Sequence, residues 1–171
     1  AVAGKLALSP ASTGALATAV ALEVDTLLVG YSDGVVHGWR LAGMDGLSSL
    51  LAQPSARARP DIVIRPAGVG AVVALALSRD DDTVAIVYGA ETWLYEIARS
   101  RPLQRVTLEH VLPAGVAPAS AMMTGATVTA AGALVLGAKA LDGKSSYLAL
   151  FGAAVTGVTP PRPIARLDVV G

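Results

Sequence analysis

Few residues in this chain are of types that carry chemistry. Asp33, His37 and the scattered serines are the parts of a hydrolytic triad, in which a carboxylate orients an imidazole that takes a proton from a hydroxyl. No serine is bracketed as Gly-x-Ser-x-Gly, and His37 stands inside an apolar run, so the triad lacks its nucleophile. Asp80-Asp81-Asp82 offers carboxylate oxygens to a hard cation, but the alternate acidic positions, central glycine and distal glutamate of a calcium loop do not follow. Gly68-Val69-Gly70 runs straight into Ala71-Val72-Val73 and lacks the third glycine and the helix of a dinucleotide loop. With no cysteine and only His37 and His110, neither a disulfide framework nor a thiolate or histidine-rich metal site is expected. The expectation is a chain with no catalytic residues, no metal and no cofactor.

Charge narrows the partners. Thirteen basic residues balance thirteen acidic ones, which removes the long-range attraction that nucleic acid or an anionic membrane requires. Arginine recurs at one kind of place: Arg57 and Arg59, Arg99 and Arg101, and Arg162 all precede a short apolar segment. A rim of guanidinium groups suits a partner bearing carboxylates or phosphates, because each makes paired hydrogen bonds. Glu23, Asp25 and Asp80 to Asp82 are the acidic residues expected beside that rim, where local pairing competes. Pro160-Pro161-Arg162-Pro163 reads as a stiff connection into the last segment.

The elements that must position these residues are strands. Hydrophobic content is 53% and mean hydropathy +0.58, yet the excess is Ala, Val, Leu and Gly. Leu6 to Leu22 and Ala117 to Ala138 are uncharged and near the ~20 residues of a spanning helix, but Gly, Pro, Ser and Thr interrupt both. Short runs rich in Val, Leu and Thr recur between turn residues, without helical periodicity. Thr26 to Ser32, Asp33-Gly34 and Val35 to Leu41 form the clearest hairpin, since Asp-Gly supplies the positive φ of a tight turn. A second copy of this order runs through Ala71 to Ser78, Thr83 to Gly89 and Thr92 to Ile97, placing Tyr95 where the first has Trp39. A third runs through Ala121 to Thr129, Ala133 to Gly137 and Ser146 to Phe151. Asp61 to Arg65, Arg105 to Glu109 and Ile164 to Val170 are the natural fourth strands, and Lys5 to Leu8 is a strand of a preceding unit.

Leu27 to Trp39 and Val72 to Val87 resemble blades of WD-repeat β-propellers, with Asp33 six residues before Trp39 as in that family. The resemblance implies an all-β fold: a β-propeller fragment of about three four-stranded antiparallel blades plus one strand, in a single partial domain spanning 1–171. The blades are expected at approximately 13–66, 67–110 and 117–171, with 4–8 the leftover strand. It also implies a structural motif in which a His (His110 in Glu109-His110), a strand hydroxyl, the turn Asp and the Trp form a buried hydrogen-bond chain. No blade here holds all four, so the pattern is degenerate. More narrowly, Asp25 to Gly46 followed by Asp61-Ile-Val-Ile-Arg65 is similar to the amino-terminal propellers of large subunits of Golgi Rab-GTPase exchange factors.

The function expected from this resemblance is a non-enzymatic protein-interaction scaffold in a larger cytoplasmic protein or assembly. Its partners would be proteins, with remaining blades supplied by the same chain, a second copy or another subunit. The alternative is a ligand-binding or enzymatic propeller whose site lies in blades absent here. Neither nucleic-acid binding nor membrane insertion is expected.

Overall fold

The computed structural model describes residues 14–41, 59–66, 70–80, 82–129, 131–153 and 162–170. Among these described residues twelve strands make three four-stranded sheets, each a simple antiparallel meander. Blade 1 holds β1 (Ala17–Glu23), β2 (Thr26–Tyr31), β3 (Val36–Arg40) and β4 (Ile62–Ile64). Blade 2 holds β5 (Ala74–Leu77), β6 (Thr83–Val87), β7 (Glu91–Glu96) and β8 (Arg101–Thr107). Blade 3 holds β9 (Ala121–Val128), β10 (Leu134–Ala140), β11 (Ser145–Phe151) and β12 (Pro163–Val170). β5 packs against both β1 and β9, so the first strands of successive sheets adjoin. This is the radial arrangement of a β-propeller.

Turn chemistry sets the registers. In blade 2 the Ser78 hydroxyl accepts from the Thr83 N–H (3.0 Å), and the Ser78 N–H donates to the Thr83 carbonyl (2.8 Å). Thr129 and Ala133 repeat both bonds in blade 3 at 3.0 and 2.8 Å. The Asp33-Gly34 turn carries Gly34 at φ +84°, and the Asp33 carboxylate accepts from the Val35 N–H. Asp142-Gly143 repeats that device, with Gly143 at φ +75° and Asp142 accepting from Lys144.

Two apolar clusters join the blades. Leu28, Val36, Ile62 and Ile64 of blade 1 meet Val72, Val84, Ile86, Tyr88, Tyr95 and Ile97 of blade 2. Ala85, Val87, Leu94 and Val106 of blade 2 meet Met123, Leu134, Leu136, Tyr147 and Phe151 of blade 3. Polar bonds cross the same junctions: Tyr88 Oη donates to the Gly34 carbonyl (3.0 Å), and Thr92 Oγ1 lies 3.0 Å from Met123 Sδ.

The fourth strand of blade 2 differs from the expected Arg105 to Glu109. It starts at Arg101, and Leu108–Val111 is instead a single helical turn, α1. The His110 ring nitrogen Nδ1 accepts the Thr107 N–H at 3.1 Å, which turns the backbone out of the sheet, and Pro113 prevents the helix from extending. Lys5 to Leu8 lies outside the described residues. Among the described residues no helix is long and apolar enough to cross a membrane; the stretches noted above carry β1 and β9 instead.

Candidate functional site

An antiparallel meander places the connections between third and fourth strands at the same end of each sheet as the first turns. Arg59 and Arg162 stand exposed on two such connections, and Arg57 lies outside the described residues. Arg99 and Arg101 are both engaged by Glu96: Arg99 Nη1 lies 3.3 Å from Oε1 and Arg101 Nη2 2.7 Å from Oε2. Glu96 was not singled out by sequence. Its signal would have been its place one residue before the turn, opposite Arg101 in the β7–β8 register. Of the acidic residues at this end, Asp80 is engaged locally, accepting from the Ser78 hydroxyl and the Asp82 N–H. The Ser78 hydrogen bond, then the backbone N–H, holds the Asp80 carboxyl below its ordinary range.

The residues of the WD-type motif stand on separate elements, Asp33 in the β2–β3 turn, Trp39 on β3, Tyr95 on β7 and His110 in α1. Asp33 is exposed and caps its own turn, while His110 sits beyond blade 2 with Nδ1 2.9 Å from Thr107 Oγ1. Trp39 is buried, with His37 edge-on to it at 6.2 Å and edge-on to Tyr31 at 5.2 Å. Tyr95 is buried too, and its phenol is pushed above its usual range by burial. Register shows what these aromatics share. Trp39 pairs with Leu27, Tyr95 with Val84 and Phe151 with Leu134, which fall at one place in the second strand when the first turns are superposed. Phe151 is therefore the blade 3 member of an aromatic series that a search for tryptophan passes over.

On the outer side of the blade 2–3 junction two adjoining hollows share Glu109 and Pro118. One, about 360 Å³, is lined by Glu91, Arg105, Thr107 and Leu108; the other, about 320 Å³, by Leu112, Pro113, Val116 and Arg166. Glu91 is buried and doubly held, accepting from Trp93 Nε1 (3.0 Å) and from Arg105 Nε, whose guanidinium lies 5.5 Å over the Trp93 ring. Arg166 Nη2 donates to the His110 carbonyl at 3.0 Å and ties β12 to α1. The Thr107–His110 pair has a hydroxyl beside an imidazole, but among the described residues no carboxylate orients that ring, and its Nδ1 is occupied by the helix start. The hollows offer shape and the exposed Glu109 carboxylate rather than a reacting set. Among the described residues no three His, Cys, Asp or Glu side chains group to hold a metal.

The chain has the shape of a known propeller. A crystal structure of the β-propeller domain of Cps50 (Swd1) from Myceliophteria thermophila matches it with a TM-score of 0.55 at 14% identity, over 92% of this chain and 39% of that one. At that identity the likeness is one of fold, and this chain spans well under half the length of its structural neighbour. No family model and no curated protein matches the sequence. The fold class is thus that of three four-stranded antiparallel propeller blades.

Proposed function

We propose that this chain is a non-enzymatic protein-interaction scaffold, its blades part of a larger cytoplasmic protein or assembly. The observation that carries the reading is the radial three-blade architecture, shared with a solved propeller domain. Propellers present rigid strands and exchangeable loops, and binding resides in the loops. The surface put forward is the arginine-bearing end: Arg59 and Arg162, with Arg99 and Arg101 around Glu96. Its partner is an acidic stretch of another protein.

A fluorescent glutamate-rich peptide, titrated against the full chain, tests this by anisotropy. Binding that weakens at least tenfold when Arg59, Arg99, Arg101 and Arg162 are changed to Glu, and that weakens with salt, is the expected outcome. Equal affinity for a neutral peptide of the same length sinks the proposed surface. A separate reading, a small-molecule site on these blades rather than in blades absent here, is favoured by the hollows around Glu109, and a thermal shift caused by a small molecule and abolished by Glu109→Gln would support it. The Asp33-Gly34 hairpin favours the finer reading as a subunit of a Rab exchange factor, tested by nucleotide release from Rab GTPases.

A further inference from the structure

The connection that leads from blade 2 to blade 3 is built differently from the one before it. Residues 108–120 separate β8 from β9, whereas 65–73 separate β4 from β5. The added length is folded into α1 and a single 3-10 turn, Pro118–Ser120, and is stiffened by Pro113 and Pro118. Leu108, Val111 and Leu112 are buried beneath it, while Ala114, Gly115, Pro118 and Ala119 stay at the surface. Side chains this short fill little space above the buried leucines, so the two hollows stand open around Glu109 and Pro118. Glu91 pairs with Thr107 and Glu96 with Arg101, which puts the hollows at the opposite end of blade 2 from Arg99 and Arg101.

Arg105 lines the first hollow, Arg166 the second, and Glu109 both. Arg105 is fixed by its Nε bond to Glu91 and by lying over Trp93. Glu91 is buried while the Arg105 side chain is 56% exposed, so an incoming group meets the guanidinium first. Its terminal nitrogens have no partner among the described residues. Arg166 is fixed by Nη2 on the His110 carbonyl, with Nη1 and Nε unengaged among the described residues. The exposed Glu109 carboxylate has no hydrogen bond or ion pair among them. A guanidinium anchored at one edge loses little freedom when a carboxylate binds the other. Along the joined hollows the order of charge is positive, negative, positive.

We propose that these hollows dock an extended segment of a partner protein in which one lysine is flanked, at alternate positions, by two acidic residues. Alternate side chains of an extended strand point the same way, about 7 Å apart, so such a segment turns all three charges toward Arg105, Glu109 and Arg166 from one side. The lysine ammonium meets Glu109, and its methylene stem lies over Pro118 and the apolar floor. The two acidic residues take the free edges of Arg105 and Arg166. A small molecule is the poorer occupant, because Glu109, Ala114, Gly115, Pro118 and Ala119 are all exposed and walls of that kind grip a ligand from one side only. The inference rests on the reading of the chain as an interaction scaffold and gives it a second docking surface.

Anisotropy of a fluorescein-labelled Glu-Thr-Lys-Thr-Glu peptide, titrated with the full chain, is the test, run beside a second peptide whose central lysine is glutamate. Glu109→Lys should weaken the lysine peptide about fivefold and tighten the glutamate peptide by a similar factor, with an unchanged β-sheet circular-dichroism spectrum. Glu109→Gln should weaken the first without tightening the second. The chain with Arg59, Arg99, Arg101 and Arg162 changed to Glu should bind the lysine peptide about as tightly as the wild type. A wild-type chain that does not bind the lysine peptide, binding indifferent to Glu109→Lys, or binding lost instead in the four-arginine variant overturns the proposal. So does a thermal shift that free lysine produces as fully as the peptide and that Glu109→Gln abolishes, which would mean a small-molecule site. Glutamate-rich peptide binding that persists at the arginine-bearing end in any of these cases leaves the scaffold reading standing without this second surface.

Discussion

Tyr88 ties two blades together with one hydroxyl. Its ring is buried and its Oη donates across the junction to the Gly34 carbonyl. Tyr88→Phe leaves that carbonyl without its partner, and the expected loss is about 1–3 kcal/mol, read from the urea midpoint. Burial first, then the neighbouring Tyr95 and Glu91, raises the Tyr88 phenol well above its ordinary value near 10. A folded-state pKa above the unfolded one gives stability that is complete below pH ~10 and declines as pH rises toward the folded value. Urea midpoints of the wild type should therefore fall above pH ~10. Tyr88→Phe should show a shallower fall, the residue of it coming from Tyr31 and Tyr95, which burial also raises. Gly34 is the other half of this contact. A Cβ there would sit 2.6 Å from the Gly70 carbonyl oxygen at φ +84°, so Gly34→Ala should destabilise by at least about 1 kcal/mol in the same assay.

The unit of this fold is the blade, and the three blades share hardware that composition hides. Trp39, Tyr95 and Phe151 occupy one register position and are 3%, 6% and 1% exposed. Phe151→Ala should cost about 3–5 kcal/mol, as for other buried aromatics, while Phe151→Tyr, mimicking blade 2, should retain most of the stability. Thermal unfolding followed by circular dichroism separates the two. Blade spacing also depends on small residues: a Cβ on Gly30 would fall 2.5 Å from Val72 Cγ1, so blade 2 approaches blade 1 over a bare backbone. Gly30→Ala is expected to lose about 1–3 kcal/mol through overpacking. The strands were legible because alternation, Asp-Gly turns and Tyr-small endings recur. The change from β8 to α1 was not, because Val106-Thr107-Leu108 has strand character and only His110 folding back onto Thr107 turns the chain.

At the scale of the whole molecule, apolar junctions hold the blades and charge decorates their ends. Glu96 shows how such an end is organised, gathering Arg99 and Arg101 onto one carboxylate. Both arginines are largely exposed, so Glu96→Gln should change stability by under about 1 kcal/mol. The same change frees two guanidinium groups and should tighten the acidic-peptide binding proposed above, a combination that anisotropy and urea titration together can check. The candidate surface was thus legible as a set of arginine positions, whereas their sharing of one acceptor required the β7–β8 register.

By itself the sequence determined the fold class and the order of the blades, because turn residues with positive φ and period-two apolar runs are local properties that reach only a few residues. It also displayed the shortage of nucleophiles, bases and metal ligands, which is a matter of inventory. Tertiary structure decided what depends on residues far apart in the chain. It set Phe151 in register with Trp39 and Tyr95, joined Tyr88 to Gly34, placed Glu109 between two hollows, and left Leu148 and Leu167 exposed where their equivalents are buried. Leu148 and Leu167 read in sequence like any other strand leucine. Whether such a side chain is core or surface is set by whether another sheet lies over it, and no local pattern carries that information.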